Sequence, residues 1–207
     1  MEKVISVISH ELNNSIAPIS SMCHSGELIA KSLDEPKLNR VFSTIGRRVS
    51  HLNDFIEGYA TLTKIKRPIK QKVDWHALTE QLQSLYPFTL SSPLPDSTLD
   101  ADLAQLEQVL INILKNAHEA DPSKNVSMSF KRSDNAIEIS IEDSGTGMSA
   151  EVIQNALLPF YSTKHSGTGL GLALCREVIE AHHGKLVFNN KETGGLCVLI
   201  ILPIHSI

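Results

Sequence analysis

His165-Ser166-Gly167-Thr168-Gly169-Leu170-Gly171-Leu172-Ala173-Leu174 places three glycines at alternate positions immediately before a helical pattern that runs on as "CREVIEAHH". Backbone N–H groups at the start of such a helix, together with the helix dipole, face the glycine loop and suit phosphate. What precedes the loop decides the fold. No strand leads directly into it and no βαβ unit surrounds it, so it is not the dinucleotide fingerprint of a doubly wound sheet.

Working outward, the flanking patterns mix helix and antiparallel strand. Upstream, "NVSMSFKR" and "AIEISIED" alternate as strands around Asp134-Asn135, a hairpin signal. Downstream, "GKLVFNN" and "GLCVLIILP" form a second strand pair around "KETGG". "WHALTEQLQSLY" and "DLAQLEQVLINILKNAHEA" read as amphipathic helices, the second with Leu103, Leu106, Val109, Leu110, Ile113 and Leu114 on its buried face. This order predicts an α/β sandwich over 69–207, with helices on one sheet face.

The first 68 residues differ in character. Ile5, Ile8, Leu12, Ile16 and Ile19 recur at steps of three and four, and so do Val41, Ile45, Val49, Leu52, Ile56 and Tyr59. Between the two runs "SLDEPKLN" supplies a turn, in which Asp34 or Glu35 can cap and Pro36 suits a first helical position. A helical hairpin over 1–68 is expected, ended by Arg67-Pro68. Two helices bury little alone, so the continuous stripes predict a dimer in which two hairpins make a four-helix bundle. The fold class is therefore α+β, in two domains.

Two further constellations carry chemistry. Asn112 and Asn116 lie four apart and project from one helix face, where their amide oxygens suit a hard cation such as Mg²⁺. In "EDSGTGM", Asp143 closes an alternating strand, and Gly145 and Gly147 let the backbone turn sharply and approach a ligand. An aspartate held there can accept a hydrogen bond from an exocyclic amine such as that of adenine. Each motif is weak singly.

Their order makes them strong together. The chain resembles the sensor histidine kinases of two-component systems, whose ATP-binding half has the Bergerat fold. "LINILKNAHEA" is similar to the family's N-box, "EDSGTGM" to its G1 box, "LLPFYSTK" to its F-box and "HSGTGLGLAL" to its G2 box. "SHELNNSIAPIS" resembles the H-box, so the likeness spans about Ser9 to Pro203. The resemblance implies ATP as substrate and Mg²⁺ on Asn112 and Asn116, with Asp143 reading the adenine amine. Gly145 and Gly147 would shape the pocket, and Gly167, Thr168, Gly169, Leu170 and Gly171 would line the phosphates. Residues 148–166 would be a mobile lid, with Phe160 its apolar anchor and Thr163 and Lys164 within reach of phosphate.

His10 lies about 200° around the helix from both Ile8 and Leu12, away from the apolar seam. Its neutral imidazole is a competent nucleophile near pH 7, and Glu11 beside it can orient it or accept its proton. The resemblance makes His10 the phosphoacceptor and passes its phosphoryl group to an aspartate of a response regulator. Asn14, one turn on, completes an E-x-x-N pattern that implies a phosphatase role. Most relatives carry proline where this chain has Ser15, so a bend is expected at Pro18 instead. Glu119 stands where some relatives have a basic residue. Other ATPases of the same fold lack a hairpin bearing His-Glu.

Bulk properties exclude little else. A net charge of −4 over 207 residues gives no electrostatic footprint for nucleic acid. Three cysteines, Cys23, Cys175 and Cys197, without C-x-x-C spacing read as reduced buried thiols of a cytoplasmic protein. No apolar run approaches the ~20 residues of a membrane span, and no signal peptide is visible. A membrane connection would come only through a region upstream of the first helix.

Overall fold

The computed structural model describes residues 2–62, 65–96, 99–120, 125–164 and 167–204, without the side chains of 2–11, 13, 51, 54, 57, 58 and 60–62. The chain divides into two compact units, Met1–Lys64 with Ser162–Leu170, and Ile65–Tyr161 with Gly171–Ile207. Among the described residues no helix is long and apolar enough to cross a membrane.

In the first unit, α1 (Glu2–Ser32) and α2 (Pro36–Leu62) form a hairpin. Pro18 sits inside α1 and does not end it. The turn shows why the chain reverses at this point. Asp34 adopts φ 53, while Glu35 donates its N–H to Ala30 at 2.9 Å and Asp34 donates to Lys31 at 3.2 Å. That is a Schellman closure of α1 with aspartate in the position usually given to glycine. Asp34 thus caps the helix behind it, and Pro36 opens the next with a φ already suited to it.

The seam of the hairpin is narrower than the apolar stripes. Ile16, Cys23, Ala30 and Ile56 are buried. Small residues bring the helices close: a Cβ on Gly26 would lie 2.5 Å from the Phe42 ring, and one on Gly46 3.7 Å from Cys23 Cβ. Leu12, Ile19, Val41, Ile45 and Leu52 stay between 42% and 51% exposed. Of the α1 stripe that the sequence offers, only Ile16 is buried among the described side chains, and the stripe continues along the hairpin surface.

The second unit is built on a five-stranded sheet in the order β2-β4-β5-β7-β6. Its strands are β2 (Thr89–Leu90), β4 (Ser127–Arg132), β5 (Ala136–Glu142), β6 (Lys185–Asn190) and β7 (Leu196–Pro203). Strict alternation in β5 and β7 sends Ile137, Ile139, Ile141, Val198, Ile200 and Leu202 to one face, where all are buried. The helices α3 (Trp75–Leu85), α4 (Leu103–Ala120) and α6 (Gly171–Ala181) supply the other side of this core. Leu106, Val109, Leu110, Ile113 and Leu114 of α4 are 1% exposed or less, while Leu103 at its start is only half-buried. Each such side chain contributes roughly 1.5–3 kcal/mol. Trp75 meets Phe130 edge to face at 5.3 Å.

Four short elements lie below sequence reading. The two-residue strands β1 (Gln71–Lys72) and β3 (Asp100–Ala101) pair antiparallel. β2 pairs parallel with β4, while the other pairings in the sheet are antiparallel. A short helix α5 (Ala150–Asn155) follows its N-cap Ser149. Two thiols are buried as expected, and burial pushes Cys175 up to about 12. Cys197 is only half-buried.

Candidate nucleotide-binding site

The site of the second unit forms where α4, the end of β5 and the start of α6 meet. Helix periodicity turns the apolar side of α4 into the core and leaves Asn112 and Asn116 half-buried on one flank. A Cβ on Gly171, the first residue of α6, would lie 3.2 Å from Asn112 Oδ1, so a bare backbone lets α6 start against this amide. At the far end of α4, a Cβ on Gly145 would lie 2.9 Å from Ala120 Cβ. Two sequence motifs thus border one helix. Glu119 lies on the exposed side, 4.0 Å from Lys115.

Asp143 is 6% exposed. Two backbone donors hold its Oδ1, Gly145 N at 2.8 Å and Leu196 N at 3.1 Å. Its own N–H donates to Leu196 O at 3.0 Å, and Lys191 Nζ donates to its carbonyl at 2.9 Å. Lys191 also pairs with Glu142 at 3.2 Å. The carboxylate is fixed before any ligand arrives. Gly195 permits this with φ 96, because a Cβ there would collide with the Asp143 carbonyl.

Gly147, at φ 73, turns the chain out of this loop. Met148 beyond it is held on both sides by one side chain. Asn190 Oδ1 accepts from Met148 N at 2.9 Å, and Asn190 Nδ2 donates to Met148 O at 2.6 Å. Neither Asn190 nor Lys191 is singled out by sequence reasoning. The glycine pair in "NNKETGG" marks only a turn, and nothing local shows that this turn folds over the Asp143 loop.

Phe160 is 46% exposed with φ 70. Thr163, Lys164, Gly167, Thr168, Gly169 and Leu170 belong to the first unit. There Ser162 Oγ accepts from Lys164 N at 3.1 Å, Gly167 N donates to Lys164 O at 3.2 Å, Gly169 has φ 67 and Leu170 is buried. Asn14 is exposed on α1. The side chains of His10 and Glu11 lie outside the described residues, so the orientation expected for His10 does too.

For a cation, the described residues offer no group of three His, Cys, Asp or Glu. Two neutral amide oxygens on a half-buried flank fit an ion that keeps water and takes its remaining ligands from a phosphate, the habit of Mg²⁺.

The chain matches relatives along nearly its whole length. Sensor protein FixL of Bradyrhizobium diazoefficiens is 27% identical over 98% of this chain and 43% of its own. The full-length ShkA structure in complex with AMPPNP superposes at TM-score 0.75 with 20% identity, over 100% of this chain and 47% of that one. Histidine kinase ThkA in complex with response regulator TrrA gives TM-score 0.70 with 22% identity, over 98% and 61%. At that identity these two structures establish the fold. The chain spans between about a third and a half of the FixL, AtoS and sporulation kinase B relatives it matches. Residues 101–206 match the profile of the histidine kinase-, DNA gyrase B- and HSP90-like ATPases, and the chain belongs to that family.

Proposed function

We propose that this chain is the core of a protein-histidine kinase, in which the unit carrying Asp143 binds ATP and His10 receives its γ-phosphoryl group. The observation that carries the reading is the carboxylate of Asp143, buried and held by two N–H donors on Oδ1. That leaves Oδ2 to accept from the exocyclic amine of adenine. Asn112 and Asn116 would hold Mg²⁺, which when bound neutralises charge on the phosphates. The glycines from Gly167 to Gly171 would offer backbone N–H groups to those phosphates, with Thr168, Thr163 and Lys164 beside them. Gly145 and Gly147 would keep the backbone close to the base, and residues 148–166, with Phe160, would close over the nucleotide.

The domain assignment follows: 1–68 for dimerisation and phosphotransfer, 69–207 for ATP. Glu11 would take the imidazole proton of His10 as its other nitrogen attacks phosphorus in line and ADP departs. A receiver-domain aspartate would then take the phosphoryl group from His10. Asn14 and Glu11 would orient water when the reaction runs as a phosphatase. The exposed apolar stripe of the hairpin would meet a second copy in a four-helix bundle.

Incubation with γ-labelled ATP and Mg²⁺ tests this. Acid-labile, base-stable label on the parent chain, absent from His10→Ala, is expected. Label that persists in His10→Ala rejects the assignment.

A further inference from the structure

One strand-turn holds both ends of the loop that carries Asp143. Asn190 is the last residue of β6 and pairs with Leu196, the first of β7. Leu196 N binds the Asp143 carboxylate at one end of the loop. Asn190 binds the backbone of Met148 at the other, through donor and acceptor together. A primary amide presents the same pair of groups as a peptide unit, so it acts on Met148 as a strand neighbour would. Between the two anchors Lys191 N donates to Gly195 O at 3.0 Å and Gly194 N to Lys191 O at 3.0 Å, closing the turn on itself. The span from Asp143 to Met148 is therefore set by a second, internally bonded element.

The packing around Asn190 is tight where it meets the loop. A Cβ on Gly147 would lie 2.5 Å from Asn190 Oδ1. Glycine at 147 and asparagine at 190 fit as a pair: the first has no side chain to obstruct the second. Met148 is also where the chain leaves the Asp143 loop for Ser149 and α5.

We propose that Asn190 is a positioning residue for nucleotide: by latching the Met148 backbone it holds Gly145 and Gly147 in their ligand-ready turn and fixes the hinge from which the lid departs. The inference rests on the ATP-binding reading above. Its basis is pre-organisation. A loop already ordered loses less freedom on binding than one that must order with the ligand. Asn190 is exposed, so without its side chain water can satisfy the Met148 backbone. The unit then folds, but the loop is no longer held.

The test uses the full chain, Mg²⁺ with AMPPNP as probe, and two variants. Asn190→Ala removes both hydrogen bonds; Asn190→Asp keeps the acceptor for Met148 N and loses the donor. Isothermal titration should show AMPPNP binding weakened roughly tenfold in Asn190→Ala, and at least as much in Asn190→Asp, whose second carboxylate oxygen would face the Met148 carbonyl. KM for ATP should rise with kcat within about twofold, which loss of uniform binding predicts. Hydrogen exchange at the Met148 amide should accelerate in Asn190→Ala, with the Trp75 fluorescence unfolding midpoint little changed. Parent-like AMPPNP affinity in Asn190→Ala overturns the proposal. So does a loss that tracks a collapsed unfolding midpoint, which would make Asn190 merely structural. A parent chain that fails to bind AMPPNP instead overturns the ATP reading beneath it.

Discussion

The imidazole Nε2 of His182 accepts the backbone N–H of Asp102 at 3.0 Å, joining the end of α6 to the start of α4 across eighty residues of sequence. Its Nδ1 lies 2.8 Å from Val178 O, so the ring is a neutral tautomer with its proton on Nδ1. The Asp102 carboxylate in turn accepts from Ile69 N at 3.0 Å and Gln105 N at 3.1 Å. The segment leading from the hairpin is thereby fastened to the helix that bears Asn112 and Asn116. Burial alone would raise Asp102, but these N–H donors outweigh it and hold the carboxyl below its ordinary value.

Burial holds His182 below the ordinary histidine value of 6.5. The backbone carbonyl of Val178 and the charge of Asp102 oppose this shift, while Lys70 and His183 reinforce it. The unfolded chain therefore takes up a proton as pH falls through 6.5, before the folded chain does. The stability that His182 contributes is complete above that point, and it declines between 6.5 and the lowered folded value. Urea unfolding followed by Trp75, the single tryptophan, should show this slope below pH 6.5. In His182→Gln the slope should shrink, and the unfolding free energy at pH 7.5 should fall by about 1–3 kcal/mol if the Asp102 N–H is left unpaired.

His183 ends α6 with φ 61, and Gly184 N donates to Ile179 O at 2.8 Å. A non-glycine residue in the left-handed region carries strain, so His183→Gly should stabilise the unit by about 0.5–1 kcal/mol. Gly184→Ala should do the opposite, because its Cβ would lie 2.5 Å from Ile201 O. The order of the three urea midpoints, glycine at 183 above parent above alanine at 184, is the check.

Asp143→Asn preserves an oxygen for Gly145 N and Leu196 N but can present an NH₂ where Oδ2 stood. A hydrogen bond to a charged acceptor contributes about 1.5–3 kcal/mol, so AMPPNP affinity should drop roughly 10- to 150-fold. The Trp75 transition should move little. Unchanged affinity would remove Asp143 from the adenine contact.

Ile45 and Leu52 project from α2 at 42% and 48% exposure. Replacing both with glutamate puts charge into the face proposed to meet a second copy. Sedimentation velocity should then show a monomer, and a dimer for the parent chain. A helical circular dichroism signal like the parent's would show that the hairpin itself survives, since its seam runs through Ile16, Cys23, Gly26 and Ala30 instead.

Much of this molecule is legible along the chain. Alternation over Ala136–Glu142 and Leu196–Pro203, and the helical rhythm of Leu103–Ala120, are local signals of which face is apolar, and the observed elements follow them. The glycine motifs are legible for a similar reason, since a backbone that must turn at Gly147 or start a helix at Gly171 declares itself in residue type. The hairpin seam is not, because Gly26 and Gly46 carry no apolar signal and matter only through how close Phe42 and Cys23 come.

By itself the sequence determined the types and order of the longer elements of the second unit and offered the candidate residues at Asn112, Asn116 and Asp143, since periodicity and turn chemistry act over neighbouring residues. Only the tertiary structure decided that β2 pairs parallel with β4, that His182 meets Asp102, and that Asn190 and Lys191 grip the Asp143 loop. Those contacts join residues about forty to eighty positions apart. They depend on strand register and helix packing, which no short window of sequence contains.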